Sequence, residues 1–163
     1  METDKAQMNK INQMSIDYVD IDLIEGLNSK KFIISPSYVE IARMTYDQAT
    51  KIKNFTVKNK YGEITWPDYT DVTEVKLDDV IKIEQLEVEI YPENVAKPPK
   101  GTKLNKECIV TLNQIKVKLT DHIKQKFGTV TKFVMNQVGA EPNDDVFSYD
   151  HISGKLCFKA NSK

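Results

Sequence analysis

Leu77-Asp78-Asp79-Val80-Ile81-Lys82-Ile83, followed after Glu84-Gln85-Leu86 by Glu87-Val88-Glu89-Ile90-Tyr91, holds the clearest periodicity in the chain. Val80, Ile81 and Ile83 read as one strand. Leu86, Val88 and Ile90 read as a second, with apolar side chains at every other position, the pattern of a strand with one buried face. Asp78-Asp79 stand just before the first strand. Neighbouring acids on a strand point to opposite faces, so they cannot flank one substrate atom as a catalytic pair must. They are read as a helix-capping or turn feature.

Upstream, Phe55 and Val57 alternate with polar residues, Lys60-Tyr61-Gly62 makes a turn, and Ile64 and Trp66 resume the alternation until Pro67-Asp68 breaks it. Further upstream, Phe32-Ile33-Ile34 is stopped by Ser35-Pro36. Ser37 and Glu40 then have capping-box spacing, which predicts a helix from about Tyr38 to Tyr46 with Val39, Ile41, Ala42 and Met44 partly buried. Downstream, Lys97-Pro98-Pro99-Lys100-Gly101 predicts an extended, exposed loop, and Ile109, Val110 and Leu112 a strand. Val130, Phe133, Val134, Gln137 and Val138 have helical spacing, with Gly139 as the stop. Val146-Phe147-Ser148-Tyr149 and Leu156-Cys157-Phe158 flank a turn ending at Gly154, which reads as a hairpin. The expected core is Phe55, Ile64, Val88, Ile90, Val110, Phe147 and Phe158.

The composition is that of one globular domain: 163 residues, 40% hydrophobic and 29% charged. With 23 basic against 24 acidic residues the net charge is -1, so no global field favours direct nucleic-acid binding. No run approaches the roughly 18 apolar residues of a membrane span. Met1 to Lys10 is polar with no apolar stretch behind it, so no secretory signal is expected. Cys108 and Cys157 lack a CxxC partner and read as small hydrophobic residues, and His122 and His151 have no metal-ligand spacing. Nucleotide-binding, hydrolase and metallopeptidase signatures are absent. No catalytic residue, cofactor, metal or small-molecule substrate is expected.

Residues 1–31 read as a leader and 32–163 as the domain proper. Ile16, Val19, Leu23, Ile24 and Leu27 fit one helix face, while Val19, Ile21 and Leu23 also fit an extended segment. Such a stripe serves either the domain's own core or a partner.

Four blocks, in order, carry a family resemblance. They are Ile34-Ser35-Pro36-Ser37; Asn54-Phe55-Thr56-Val57 with Lys60-Tyr61-Gly62-Glu63-Ile64; the Leu77–Tyr91 stretch with Lys97-Pro98-Pro99, Gly101, Leu104-Asn105-Lys106 and Val110-Thr111-Leu112; and Gly139-Ala140 with Phe147-Ser148-Tyr149-Asp150 and Ser153-Gly154-Lys155-Leu156-Cys157-Phe158-Lys159. Their collinearity from about Ile33 to Ala160 resembles the C-terminal autoproteolytic domain of the GLFG-repeat nucleoporins. The resemblance implies a mainly β (α+β) fold, a β-sandwich or half-open β-barrel flanked by short helices. It also implies a docking role at the nuclear pore, on scaffold partners that include a β-propeller subunit.

In that family the last strand runs into His-Phe-Ser, and the serine attacks the preceding carbonyl. Aligned on Phe158, this chain has Ser162 and Lys163 where the family has His and Phe, and it stops at the scissile position. Self-cleavage is therefore not expected. The chain carries no FG or GLFG repeats and begins at its own Met1. That leaves a second reading, a stand-alone structural subunit on ciliary microtubules with tubulin or axonemal partners. The expected partner-binding face is the loop bearing Lys97, Pro98, Pro99, Lys100 and Lys103, together with the helix around Phe133 and Val134. The prolines order the loop before binding, and its lysines would steer an acidic partner.

Overall fold

Among the described residues, alternating burial along short strands builds a six-stranded antiparallel sheet. A computed structural model of the chain describes residues 17–85, 87–115, 135, 138, 144–150 and 152–161. The sheet comprises β1 (Ile33–Ser35), β2 (Phe55–Asn59), β3 (Gly62–Trp66), β6 (Cys108–Leu112), β7 (Asp145–Asp150) and β8 (Lys155–Ala160), in the order β1-β2-β3-β6-β8-β7. A separate ribbon pairs β4 (Ile81–Glu84) with β5 (Glu87–Ile90). The fold is mainly β with short helices, as expected, and its sheet is open rather than closed into a barrel.

One row of cross-strand neighbours organises the core. Val57 faces Ile64, Ile64 faces Val110, and Val110 faces Phe158, all four essentially without solvent exposure. Next to this row Phe55 faces Trp66, their rings 5.9 Å apart and tilted by 37°. The buried indole keeps its polar edge satisfied by donating to the Leu104 carbonyl at 3.0 Å. Gly62 is required where β3 meets β6, because a Cβ there would collide with the backbone carbonyl of Thr111. Ile90, expected in the core, is only partly buried, since it ends the ribbon rather than crossing the main sheet. The side chain of Phe147, the whole of Leu86, and both histidines lie outside the described residues.

The helices depart from expectation in instructive ways. Ser37 does cap a helix, accepting the Glu40 N–H at 3.2 Å, but α2 runs only over Tyr38–Ala42. Thr45 and Gln48 form the reciprocal capping box and start a second helix, α3 (Tyr46–Ala49). Within α2 the buried face belongs to Ile41, while Val39, two residues away around the helix, is 57% exposed rather than partly buried. Val80 also moves: it ends a one-turn helix, α4 (Leu77–Val80), and the strand begins at Ile81. Asp78 and Asp79 occupy the first turn of α4, where carboxylates oppose the positive end of the helix dipole. The predicted Val130–Val138 helix lies outside the described residues except Met135, which is helical, and Val138; both are buried.

Residues 17–31 lie on the domain's own core. They form α1 (Ile21–Ile24) and a 3-10 turn over Glu25–Leu27, with α1 preceding α2 in the chain. Val19, Ile24 and Leu27 are buried in the same cluster as the sheet residues. Val19 donates to the Met44 carbonyl at 2.7 Å, and Glu74 donates to the Leu23 carbonyl at 2.6 Å. Gly26 allows that approach, since a Cβ would strike the Val75 carbonyl. Cys108 is buried and Cys157 half-buried; in the β6–β8 pairing Cys108 lies opposite Ala160 and Cys157 opposite Thr111, so the two cysteines do not face each other.

Candidate docking site

The proline loop is held at both ends by its own polar groups. Gly101, with φ of 84° and open space around it, lets the chain reverse, and its N–H donates to the Asn105 carbonyl at 2.7 Å. Thr102 N–H donates to the Pro99 carbonyl at 3.1 Å, and Asn105 N–H to the Thr102 carbonyl at 2.9 Å. The Asn105 side chain, almost wholly buried, donates to the Pro98 carbonyl at 2.9 Å. The next turn of chain is fixed by Tyr91, whose phenol oxygen accepts the Leu104 N–H at 3.2 Å. Burial pushes that phenol's pKa up, against the opposing effect of the Leu104 bond, so it remains neutral.

Lys103 closes the arrangement. Its ammonium donates to the Asp71 carboxylate, the Thr73 carbonyl and the Thr73 hydroxyl at 2.9, 2.9 and 3.1 Å. The Thr73 hydroxyl in turn donates to Asp71 at 2.6 Å, and the Thr73 N–H donates to the same oxygen at 2.9 Å. Burial disfavours the charged form of Asp71, but the bonds from Thr73 and Lys103 outweigh it and hold the carboxyl below its ordinary value. The loop is thus tied to the segment preceding α4 by a network of charge-assisted bonds.

Beside this network opens a pocket of about 390 Å³. Val75, Val80, Tyr91, Val95 and Pro98 form its apolar part, and Lys97 and Lys103 stand on its wall. Three residues that line it, Glu74, Tyr91 and Lys103, adopt left-handed backbone conformations with φ of 60°, 56° and 48°. Non-glycine residues hold such conformations only where the surroundings impose them, and they gather at clamps and binding sites.

The expected docking residues therefore separate. Lys97 and Pro98 face the pocket. Pro99 and Lys100 are exposed on the outer side of the loop. Lys103 lines the pocket but spends its charge on Asp71. Phe133 and Val134 lie outside the described residues. Sequence reasoning missed Tyr91, Asp71, Thr73 and Asn105. Asp71-Val72-Thr73 does carry a signal, the spacing of an Asx turn, and Asn105 sits in the Leu104-Asn105-Lys106 block. Among the described residues no cluster of metal-ligating side chains is present, and no helix is long and apolar enough to cross a membrane.

The sequence profile of the family described as Nucleoporin2: Nup98-96 autopeptidase S59 matches residues 29–161. Among curated relatives, the nuclear pore complex protein Nup98-Nup96 of Dictyostelium discoideum is 28% identical over 128 residues, covering 76% of this chain and 6% of its own length. The nuclear pore complex protein NUP96 of Arabidopsis thaliana is 32% identical over 96 residues, covering 56% and 9%. Nucleoporin NUP145 of Saccharomyces cerevisiae is 28% identical over 171 residues, covering 96% and 13%. The chain thus spans a small part of each relative. Among solved structures, the C-terminal domain of NUP116 from Candida glabrata superposes with a TM-score of 0.65 at 24% identity, covering 91% of this chain and 95% of that one. A chain of the yeast heterotrimeric Nup82-Nup159-Nup116 nucleoporin complex superposes with a TM-score of 0.64 at 22% identity, covering 82% of this chain and 97% of that one. At these identities the superpositions establish the fold.

Proposed function

Because the chain belongs to the Nup98-96 autopeptidase S59 family of nucleoporin domains, we propose that it is a non-catalytic docking module that anchors a nuclear-pore assembly. The observation that carries this reading is the pre-ordered loop: its prolines, Asn105 and the Lys103–Asp71 bond fix it beside an apolar pocket before any partner arrives. A surface ordered in advance loses less entropy on association. The docking unit is residues 32–163, and the stretch 17–31 serves its packing. The partner is a folded scaffold subunit, a β-propeller by resemblance, that presents an acidic surface to Lys97 and Lys100. The relatives are named as nuclear pore proteins, which favours the pore over the ciliary reading.

Self-cleavage is excluded in this proposal by residue identity. Where the family carries His-Phe, this chain carries Ser162-Lys163. A serine hydroxyl needs an adjacent base to accept its proton before it can attack a carbonyl, and no imidazole stands there. The test is intact mass after expression with an extension beyond Lys163 that begins with serine. A single full-length species is expected; release of the extension at Lys163 overturns the non-catalytic reading.

A further inference from the structure

Among the described residues the main sheet ends on β1, and the strand register shows which way that edge points. A two-residue turn, Lys60-Tyr61, joins β2 to β3, so the flanking pair Asn59 and Gly62 exchanges hydrogen bonds. Such pairs recur at every second position of an antiparallel ladder, which makes Val57–Ile64 a bonded pair too. Val57 therefore directs its N–H and C=O to β3. The neighbouring positions Lys58 and Thr56 bond in the other direction, to Ile33 and Ser35. Ile34, opposite Val57, turns its own N–H and C=O away from the sheet. Among the described residues neither group has a partner.

Phe32 points its backbone the same way. Its N–H is satisfied by the Ser29 hydroxyl at 3.1 Å, while its carbonyl accepts no bond among the described residues. Beyond Ser35 the edge stops, since Pro36 has no N–H to offer. The edge thus presents one donor and two acceptors within three residues. Ile33 stands between them with its side chain 66% exposed on the outer face of the sheet, next to Lys58. Lys31 and Lys58 are exposed, and neither makes an ion pair among the described residues. Glu63 faces Lys58 from the far side, across β2 and β3.

We propose that the β1 edge takes an extended segment of a partner protein as an added antiparallel strand. The residue opposite Ile34 exchanges two hydrogen bonds with it, and the residue two further on donates to the Phe32 carbonyl. Between these two falls the residue opposite Ile33, at the non-hydrogen-bonded position where cross-strand side chains come closest. A β-branched side chain there covers Ile33. Two positions later the segment lies opposite Lys31, where a carboxylate is favoured. A second copy of this chain fits less well. Pairing two β1 strands about Ile34 sets Pro36 of one copy opposite Phe32 of the other, with no N–H for its carbonyl, and Ser37 rather than an acid opposite Lys31.

The probe is a fluorescein-labelled octapeptide with Val-Ile-Thr-Glu at its centre, the valine placed to meet Ile34. Its counterpart is the same peptide N-methylated at the valine and the threonine, which removes the two donors the edge requires. By anisotropy the methylated peptide should bind at least about tenfold more weakly. Amide exchange followed by NMR should show the Ile34 N–H exchanging fast in the free protein and slowed when the unmethylated peptide is bound. Ile33→Ser and Lys31→Glu should each weaken binding several-fold, whereas Val39→Ser, a change to an exposed apolar residue on α2, should bind like wild type. No binding of the unmethylated peptide, equal binding of the methylated one, or unslowed exchange at Ile34 under saturation each overturns the proposal. So does protection of Ile34 on concentrating the protein alone, which would assign the edge to a second copy. The peptide comparison and the exchange measurement use the wild-type chain and stand even if a variant folds poorly.

Discussion

At Asp71 two effects oppose each other, and the balance has a measurable sign. Partial burial raises the cost of the carboxylate, while Thr73 and Lys103 stabilise it, and the stabilising bonds prevail. The folded pKa therefore lies below the ordinary value of 3.8. Stability from this group is complete above the unfolded pKa and is lost as pH falls through the folded one. Asp71→Asn should flatten the acid limb of the stability–pH curve below about pH 4, leaving the neutral limb parallel to wild type. Urea denaturation across that range checks it, and an unchanged acid slope contradicts it. Phe158 acts through volume instead. It is 1% exposed and ends the buried row that begins at Val57. Phe158→Ala should destabilise by about 3–5 kcal/mol, read as a fall in the urea midpoint; an unmoved midpoint would place β8 at the periphery.

Among the elements, the proline loop gives the clearest functional prediction. Lys97 and Lys100 are exposed, whereas Lys103 is bonded inward. Reversing Lys97 and Lys100 to Glu should slow association with an acidic partner and weaken its dependence on salt without changing the melting temperature. Lys103→Glu should do something different: it faces Asp71 with a like charge and should loosen the loop itself. Association rates at low and physiological salt separate the two, and identical behaviour would remove the distinction. The elements also show what could be read in advance. Strands β2 and β3 follow from period-two alternation, because each has one face in the core and one in solvent. The Val80 boundary, the early end of α2 and the cap at Thr45 did not follow. One-turn helices are too short for a periodic signal, and they are decided by side-chain caps and by what the core leaves room for. The exposed loop at Pro98-Pro99 was legible through its prolines. Its clamp was not, because Asp71 and Lys103 are far apart in sequence and meet only through the fold, and the left-handed backbone at Tyr91 has no residue signature.

At the scale of the whole molecule, an open sheet carries the loop that we propose as the docking surface. That loop exposes Lys97 and Lys100. A near-neutral chain with a locally basic loop can meet an acidic surface without a strong overall field. Membership of the nucleoporin family gives that docking a place, and the central claim is that this chain works there. Fluorescence microscopy of the tagged protein, expressed from its own locus in its own cells, tests this most directly. The account predicts a punctate rim around the nucleus that coincides with a pore marker and persists after light detergent extraction. A signal confined to cilia or spread through the cytoplasm, with no enrichment at the rim, would contradict it.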